Sequence, residues 1–173
     1  MGEAQNTIRL AGVIRESIVD GPGIRFVVFA QGCPHGCPGC HNPQTHDFNG
    51  GYPCTIDKIL KAIDENPLLR GVTFSGGDPV CQPAGFWALA KEVKKRGLDI
   101  VMYSGYTFEE LCEMASHNED LDGLLHQVDY LIDGHYEENL RDLTLPFRGS
   151  SNQRMIDLKP SLAEKNVVGS PWQ

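Results

Sequence analysis

"IRFVVFAQGCPHGCPGC", residues 24–40, joins two unlike pieces of chain. Residues 24–30 are apolar, β-branched and aromatic, the pattern of a buried strand. Residues 31–40 then crowd Cys33, Cys37 and Cys40 among glycines and prolines that suit neither a helix nor a strand. A strand whose carboxyl end empties into a loop of reactive side chains is how parallel α/β folds build their sites.

The same arrangement recurs downstream. Strands are expected at 69–77, 98–105 and 128–134, and unusual residues follow each: "SGGDP" (75–79), "YSGY" (103–106) and "DGHY" (133–136). Between them lie helical patterns. Residues 55–66 carry an apolar stripe at 56, 59, 60 and 63, with Thr55 as N-cap and Pro67 just past the end. Residues 84–97 close at Gly97, and 107–118 open with Thr107 and Glu110 spaced as a capping box. Residues 7–14 read as an edge strand and 154–158 as a further strand. Strands alternating with helices predict an α/β fold built on a parallel sheet with right-handed crossovers. The units are too few for a closed eight-fold barrel, so the expectation is an open, partial parallel βα barrel. The four unusual segments would then meet on one rim.

A chain of 173 residues favours one domain, 1–173, with a core at about 7–158 and residues 159–173 as a loose tail. A domain of that size buries roughly 70% of its unfolded surface and needs no disulfides. The net charge is −8 with no block of lysine or arginine, which argues against a nucleic-acid or anionic-membrane partner. "MGEAQNTIRLAG" lacks the basic start and apolar stretch of a secretory signal, and no apolar run approaches the ~20 residues that span a bilayer. Met1-Gly2 opens a myristoylation pattern that fails at Asn6, where Ser or Thr is required. A cytoplasmic setting is expected, where thiols stay reduced, so a disulfide is the weakest reading of the loop.

Two readings of the loop remain. Zinc could take the three cysteines plus His41 or His46, although zinc loops commonly use two distant pairs with two-residue gaps. Here the spacing is C-x3-C-x2-C, and Cys54, Cys81 and Cys112 are scattered. An iron–sulfur cubane has four irons, so three cysteines would leave one iron open to a small molecule. The loop favours the cluster.

C-x3-C-x2-C resembles the signature of the radical SAM enzymes, although Gly39 stands where an aromatic residue is common. "SGGDP" resembles that superfamily's glycine-rich motif, with Asp78 where Glu is usual. "DGPGIRFVVFAQGCPHGCPGCHNPQTH" resembles the activating enzymes of glycyl-radical proteins. "LPFRGSSNQRMIDL" (145–158) sides with those of anaerobic ribonucleotide reductases over those of pyruvate formate-lyase. The resemblance runs from about residue 8 to 158.

It implies a [4Fe-4S] cluster on Cys33, Cys37 and Cys40 that cleaves S-adenosylmethionine (SAM) to a 5′-deoxyadenosyl radical. It also implies a large reductase subunit as partner and an electron donor such as flavodoxin. Residues placed at SAM are Gly39, Cys40, His41, Gly76, Gly77, Asp78, Ser104 and Asp133; Asp133 reads also as a helix cap. Asp20 and Arg25 are placed where the partner's glycine loop enters. Arg148, Asn152 and Arg154 read either as SAM contacts or as anchors of the fold. His35 reads as a supporting or exposed residue.

Overall fold

A computed structural model of the chain describes residues 6–172. The Met1-Gly2 reading lies outside the described residues. Seven strands are β1 (Thr7–Ser17), β2 (Arg25–Ala30), β3 (Tyr52–Thr55), β4 (Gly71–Gly76), β5 (Asp99–Ser104), β6 (Tyr130–Asp133) and β7 (Arg154–Asp157). They form one sheet in the order β3-β1-β2-β4-β5-β6-β7. The four inner strands β2, β4, β5 and β6 run parallel. β1, β3 and β7 are added antiparallel. The fold is therefore α/β with a parallel-rich open sheet, as its alternating sequence pattern implies. One detail differs. Thr7–Ser17 is not an edge, because Tyr52–Thr55 pairs along its outer side through Thr7–Leu10.

Helices α1 (Ile56–Asp64), α2 (Pro83–Lys95), α3 (Phe108–Ala115), α4 (Glu119–Gln127) and α5 (Leu158–Glu164) complete the fold. Two start where their caps say they should. Thr55 Oγ1 accepts the Lys58 N–H at 3.2 Å, and Thr107 and Glu110 close a reciprocal capping box.

Alternation along the strands divides the core. Phe26, Val28, Val72, Phe74, Ile100, Met102 and Leu131 pack against Ile59, Phe86, Leu89, Leu111 and Leu124 of the helices. Val101, Ile132 and Met155 point to the other side, where half-buried Tyr103, Tyr130, Phe147 and Trp172 cover them. Residues 159–172 are not a loose end. After α5 the chain returns along β7, Asp157 N–H donating to Val168 C=O at 2.8 Å and Ser170 N–H to Met155 C=O at 3.0 Å. Trp172 then packs edge-on against Tyr130 at 5.0 Å, with the Arg70 guanidinium 5.1 Å from its ring centre. An indole large enough to cover that end of the sheet supplies the reason. Among the described residues no helix is long and apolar enough to cross a membrane.

Candidate functional site

The cysteine loop leaves β2 at Ala30 and is pinned at both ends by backbone and amide bonds. Gly32 N–H donates to Thr45 C=O at 2.7 Å and Cys33 N–H to His46 C=O at 3.2 Å. Gln31, buried directly after the strand, donates from Nε2 to the carbonyls of Gln44 and Asp47 at 3.1 and 2.6 Å. Gln82 Nε2 donates to Gln31 C=O and Arg9 C=O in turn. Neither glutamine stands out in the sequence. The only signal is a polar residue placed where burial is expected.

The glycines at the end of β4, Gly76 and Gly77, let that strand's end lie under the loop. Gly76 has φ +96°, and a Cβ there would meet the Ala30 backbone at 2.4 Å; one on Gly77 would meet Gly32 O at 2.3 Å. Asp78 follows, fully buried. Its Oδ2 takes His35 Nε2 at 2.6 Å, Ser104 Oγ at 2.9 Å and Gly105 N–H at 3.0 Å, while Oδ1 accepts Val80 N–H at 3.1 Å. His35 is thus the hub of the rim. Its side chain is 6% exposed, and its ring lies 4.5 Å from Tyr106 and 4.6 Å from His135. Segments following β2, β4, β5 and β6 therefore do meet, through a histidine read from the sequence as a supporting residue at most. Gly105 makes room for it, since a Cβ there would sit 2.4 Å from the imidazole.

The three thiols are free and partly exposed. Backbone N–H groups turn toward each: His35 toward Cys33, Tyr136 toward Cys37, and Asn42 toward Cys40 Sγ at 3.4 Å. His46 Nε2 also lies 3.4 Å from that sulfur. Burial raises the Cys33 and Cys37 thiols above their usual range, with neighbouring negative charge adding to it. Bound iron would reverse that balance, because ligation removes the thiol proton outright. Three sulfurs with amide donors aimed at them are the donor set of an iron–sulfur cluster, whose potential such bonds tune. Cys81 lies near Asp78 and Cys33 but is pushed up to about 12, first by burial.

Gly39 and His41 are exposed beside the thiols, His41 with its ring 5.0 Å from Tyr136. Other expected residues face elsewhere. Ser104 is 6% exposed; besides donating to Asp78, its hydroxyl accepts Tyr106 N–H at 3.1 Å, so it is not free for a ribose. Asp133, 1% exposed, accepts Phe108 N–H at 2.7 Å and holds Arg154 in a two-pronged bond, so it caps α3 instead of facing a cofactor. Arg25 lies at the opposite end of β2, fully buried, bonded to Thr73 Oγ1, Pro22 C=O and Val72 C=O and paired with Asp99 at 2.6 Å. Its side chain therefore presents no surface for a partner loop to touch. Asp20 does reach an opening. It borders a cavity of about 650 Å³ on the sheet face away from the helix-packed core, together with His41, Asn42, Ser75, Tyr103 and Arg148.

The segment ending at β7 acts largely as an anchor. Gln153 Oε1 accepts Gly149 N–H at 2.9 Å, its Nε2 donates to Gly134 C=O at 3.1 Å, and Asn152 Nδ2 donates to His135 C=O at 2.7 Å.

Comparison with known proteins matches a family model described as "4Fe-4S single cluster domain" to residues 19–156. The chain is 37% identical over 151 residues to the anaerobic ribonucleoside-triphosphate reductase-activating protein of Escherichia coli (strain K12), covering 82% of this chain and 94% of that one. It is 36% identical over 117 residues to the pyruvate formate-lyase-activating enzyme of Clostridium pasteurianum, covering 64% and 49% respectively. Among solved structures, QueE from Escherichia coli superposes with a TM-score of 0.47 at 17% identity, over 58% of this chain and 53% of that one.

Proposed function

Because this chain belongs to the family of the anaerobic ribonucleoside-triphosphate reductase-activating proteins and carries their 4Fe-4S single cluster domain, we propose that it installs a glycyl radical on an anaerobic ribonucleotide reductase. The observation that carries this reading is the loop itself: Cys33, Cys37 and Cys40, each with a backbone N–H turned to its sulfur, on the rim where the parallel strands end. These thiols hold a [4Fe-4S] cluster. When bound, that cluster supplies the electron that splits S-adenosylmethionine into methionine and a 5′-deoxyadenosyl radical.

The chain's residues supply position and shelter. Asp78 fixes His35, and His35 fixes the loop against β5 and β6, so the three thiols keep their spacing. Gly39, His41, Gly76 and Gly77 belong to the reading as residues beside a bound nucleotide, Gly76 and Gly77 by letting the end of β4 lie close under the cysteine loop. The apolar patch of Val101, Ile132 and Met155 keeps water from the sheet face behind it. The reductase's glycine is the hydrogen donor, its radical stabilised by flanking amides. An electron donor such as flavodoxin in a cytoplasmic setting completes the reading, as does a single domain spanning 1–173.

The test is anaerobic. Protein reconstituted with iron and sulfide, then given dithionite and SAM, forms 5′-deoxyadenosine, and deuterium from a glycine-labelled reductase appears in it. Zinc in an oxygen-free preparation, or deoxyadenosine free of label, would overturn the assignment.

A further inference from the structure

Four successive carbonyls on the limb that leaves the cysteine loop, those of residues 44–47, are taken by donors at its start. Gln31 Nε2 donates to Gln44 and Asp47, Gly32 N–H to Thr45, and Cys33 N–H to His46. A backbone fixed in this way aims one side chain. His46 is half-buried, and its imidazole Nε2 lies 3.4 Å from Cys40 Sγ. The other two histidines of the loop are engaged elsewhere, His35 with Asp78 and His41 against Tyr136. His46 therefore spans the loop, its carbonyl on the first cysteine and its ring on the third.

That contact sets one sulfur apart. Cys33 and Cys37 draw backbone N–H groups, chiefly those of His35 and Tyr136. Cys40 draws the Asn42 N–H at 3.4 Å and a side-chain donor as well. A thiolate bound to iron has no proton to give, so the direction of the contact is decided: the imidazole donates. An N–H on a ligand sulfur stabilises the negative charge that reduction adds, and so tunes the potential. Backbone donors come with the shape of the loop. The ring is an addition, removable without touching the bonds that hold the limb.

We propose that His46 is a positioning residue for the electron step, donating from Nε2 to the Cys40 sulfur and raising the reduction potential of the cluster on the three cysteines. A weaker reductant then suffices to load the electron that the site passes to SAM. This deepens the reading above and rests on it, because it takes Cys33, Cys37 and Cys40 to carry a [4Fe-4S] cluster.

The experiment poises reconstituted wild type, His46→Phe and His46→Gln anaerobically, without SAM, in one viologen-buffered solution. Electron paramagnetic resonance then reads the reduced cluster per iron bound. Phe keeps a ring and loses the donor; Gln returns an N–H near the Nε2 position. Both leave the carbonyl at position 46 for Cys33, and matching circular dichroism shows that they fold. His46→Phe is expected to lower the reduced-to-oxidised ratio about tenfold, about 59 mV for one electron, and His46→Gln to recover most of it. An unchanged ratio in His46→Phe overturns the bond. So does a ratio in His46→Gln as low as in His46→Phe, since packing alone would then be the cause. Wild type that takes up no cubane overturns this inference and the proposed function together. Ratios that shift as expected, beside wild type that forms no deoxyadenosine, keep the bond and sink the proposed chemistry. Labelled deoxyadenosine from wild type, with all three proteins poised alike, sinks the bond alone.

Discussion

Arg25 with Asp99 and Arg154 with Asp133 are the same two residue types paired at opposite ends of the parallel strands. At the amino ends Arg25 is the sealed partner, 0% exposed, and Asp99 keeps 23% of its side chain in contact with water. At the carboxyl rim the roles invert: Asp133 is 1% exposed and Arg154 is 33% exposed. One member of each pair comes from a stretch that reads as ligand-facing, Arg25 from "DGPGIR" and Asp133 from "LIDGHY". Both instead hold the frame, one closing the base of β2, β4 and β5, the other capping α3 and fastening β7. The group that does organise the rim is the quieter contact of His35 with Asp78. Charge at a strand end marks where a fold is tied. Reactive thiols in a stiff loop mark where it acts.

The strongest way to break this contrast is to remove a thiol. Cys37→Ala is expected to lose the cluster's iron and to lower deoxyadenosine formation by more than about a hundredfold, since even outer partners of a metal ligand cost about 10–100-fold. Cys81→Ala, only a few residues from Asp78, is expected to keep both. Iron assay and product chromatography of the two variants side by side check it. Equal iron loss would mean that the C-x3-C-x2-C spacing is a poor guide to which thiols ligate.

At the base, Arg25→Ala leaves Asp99 paired with Arg70 alone and takes the donor from Thr73 Oγ1 and three carbonyls. Removing one partner of a buried pair typically costs 3–5 kcal/mol. Because Asp99 retains water contact, about 3 kcal/mol is expected, read from urea unfolding, with iron content intact in the fraction that folds. A variant as stable as wild type that fails to activate the reductase would restore Arg25 to the partner-facing role.

At the rim, Asp78→Ala removes the acceptor of four bonds, among them that of His35. About 2 kcal/mol of stability is expected to go, since unsatisfied buried donors cost about 1–3 kcal/mol each and some regain water. Iron should also pass to a chelator faster than in wild type, whereas Arg25→Ala at the base should leave that rate alone. Stability loss without faster iron release would show that the loop holds its shape unaided.

The sequence made the rim legible because apolar runs ending in glycines, cysteines and prolines mark strand ends without ambiguity. What it left hidden was parity. Ser104 and Asp133 are register partners in the sheet, so both point to the helix layer, while Tyr103, one residue earlier, faces the cavity. A single-residue step decides between a ligand and a cap, and nothing local announces it. Two elements escaped for other reasons. β3 is four residues after a Gly-Gly pair and exists only because β1 offers it an edge. α4 is acidic and carries Gly123, and its signal was the Asn118 cap with Leu121, Leu124 and Leu125 spaced behind it. The tail looked loose because Pro, Gly and Ser dominate it. Trp172 finds its place only once Tyr130 and Arg70 are brought together by the sheet.

The smallest expected effect sharpens the comparison by pH. Arg154 reaches past Asp133 to Glu109, bonding it at 2.7 Å, and that hydrogen bond holds the Glu109 carboxyl below its ordinary range. A carboxylate whose folded value is depressed stabilises the fold above its unfolded pKa of about 4.3, and that contribution is lost as pH falls through the folded value. Glu109→Gln removes the dependence. At pH 7 the variant should be less stable by no more than about 1 kcal/mol, because Glu109 is 62% exposed and water screens the pair. Between about pH 5 and pH 3 the gap should close, as protonation brings wild type down to the variant. Thermal melts of both proteins across that range check the sign. A gap that widens toward acid would mean that Arg154 serves Asp133 alone, and that the rim pair is as self-contained as the one at the base.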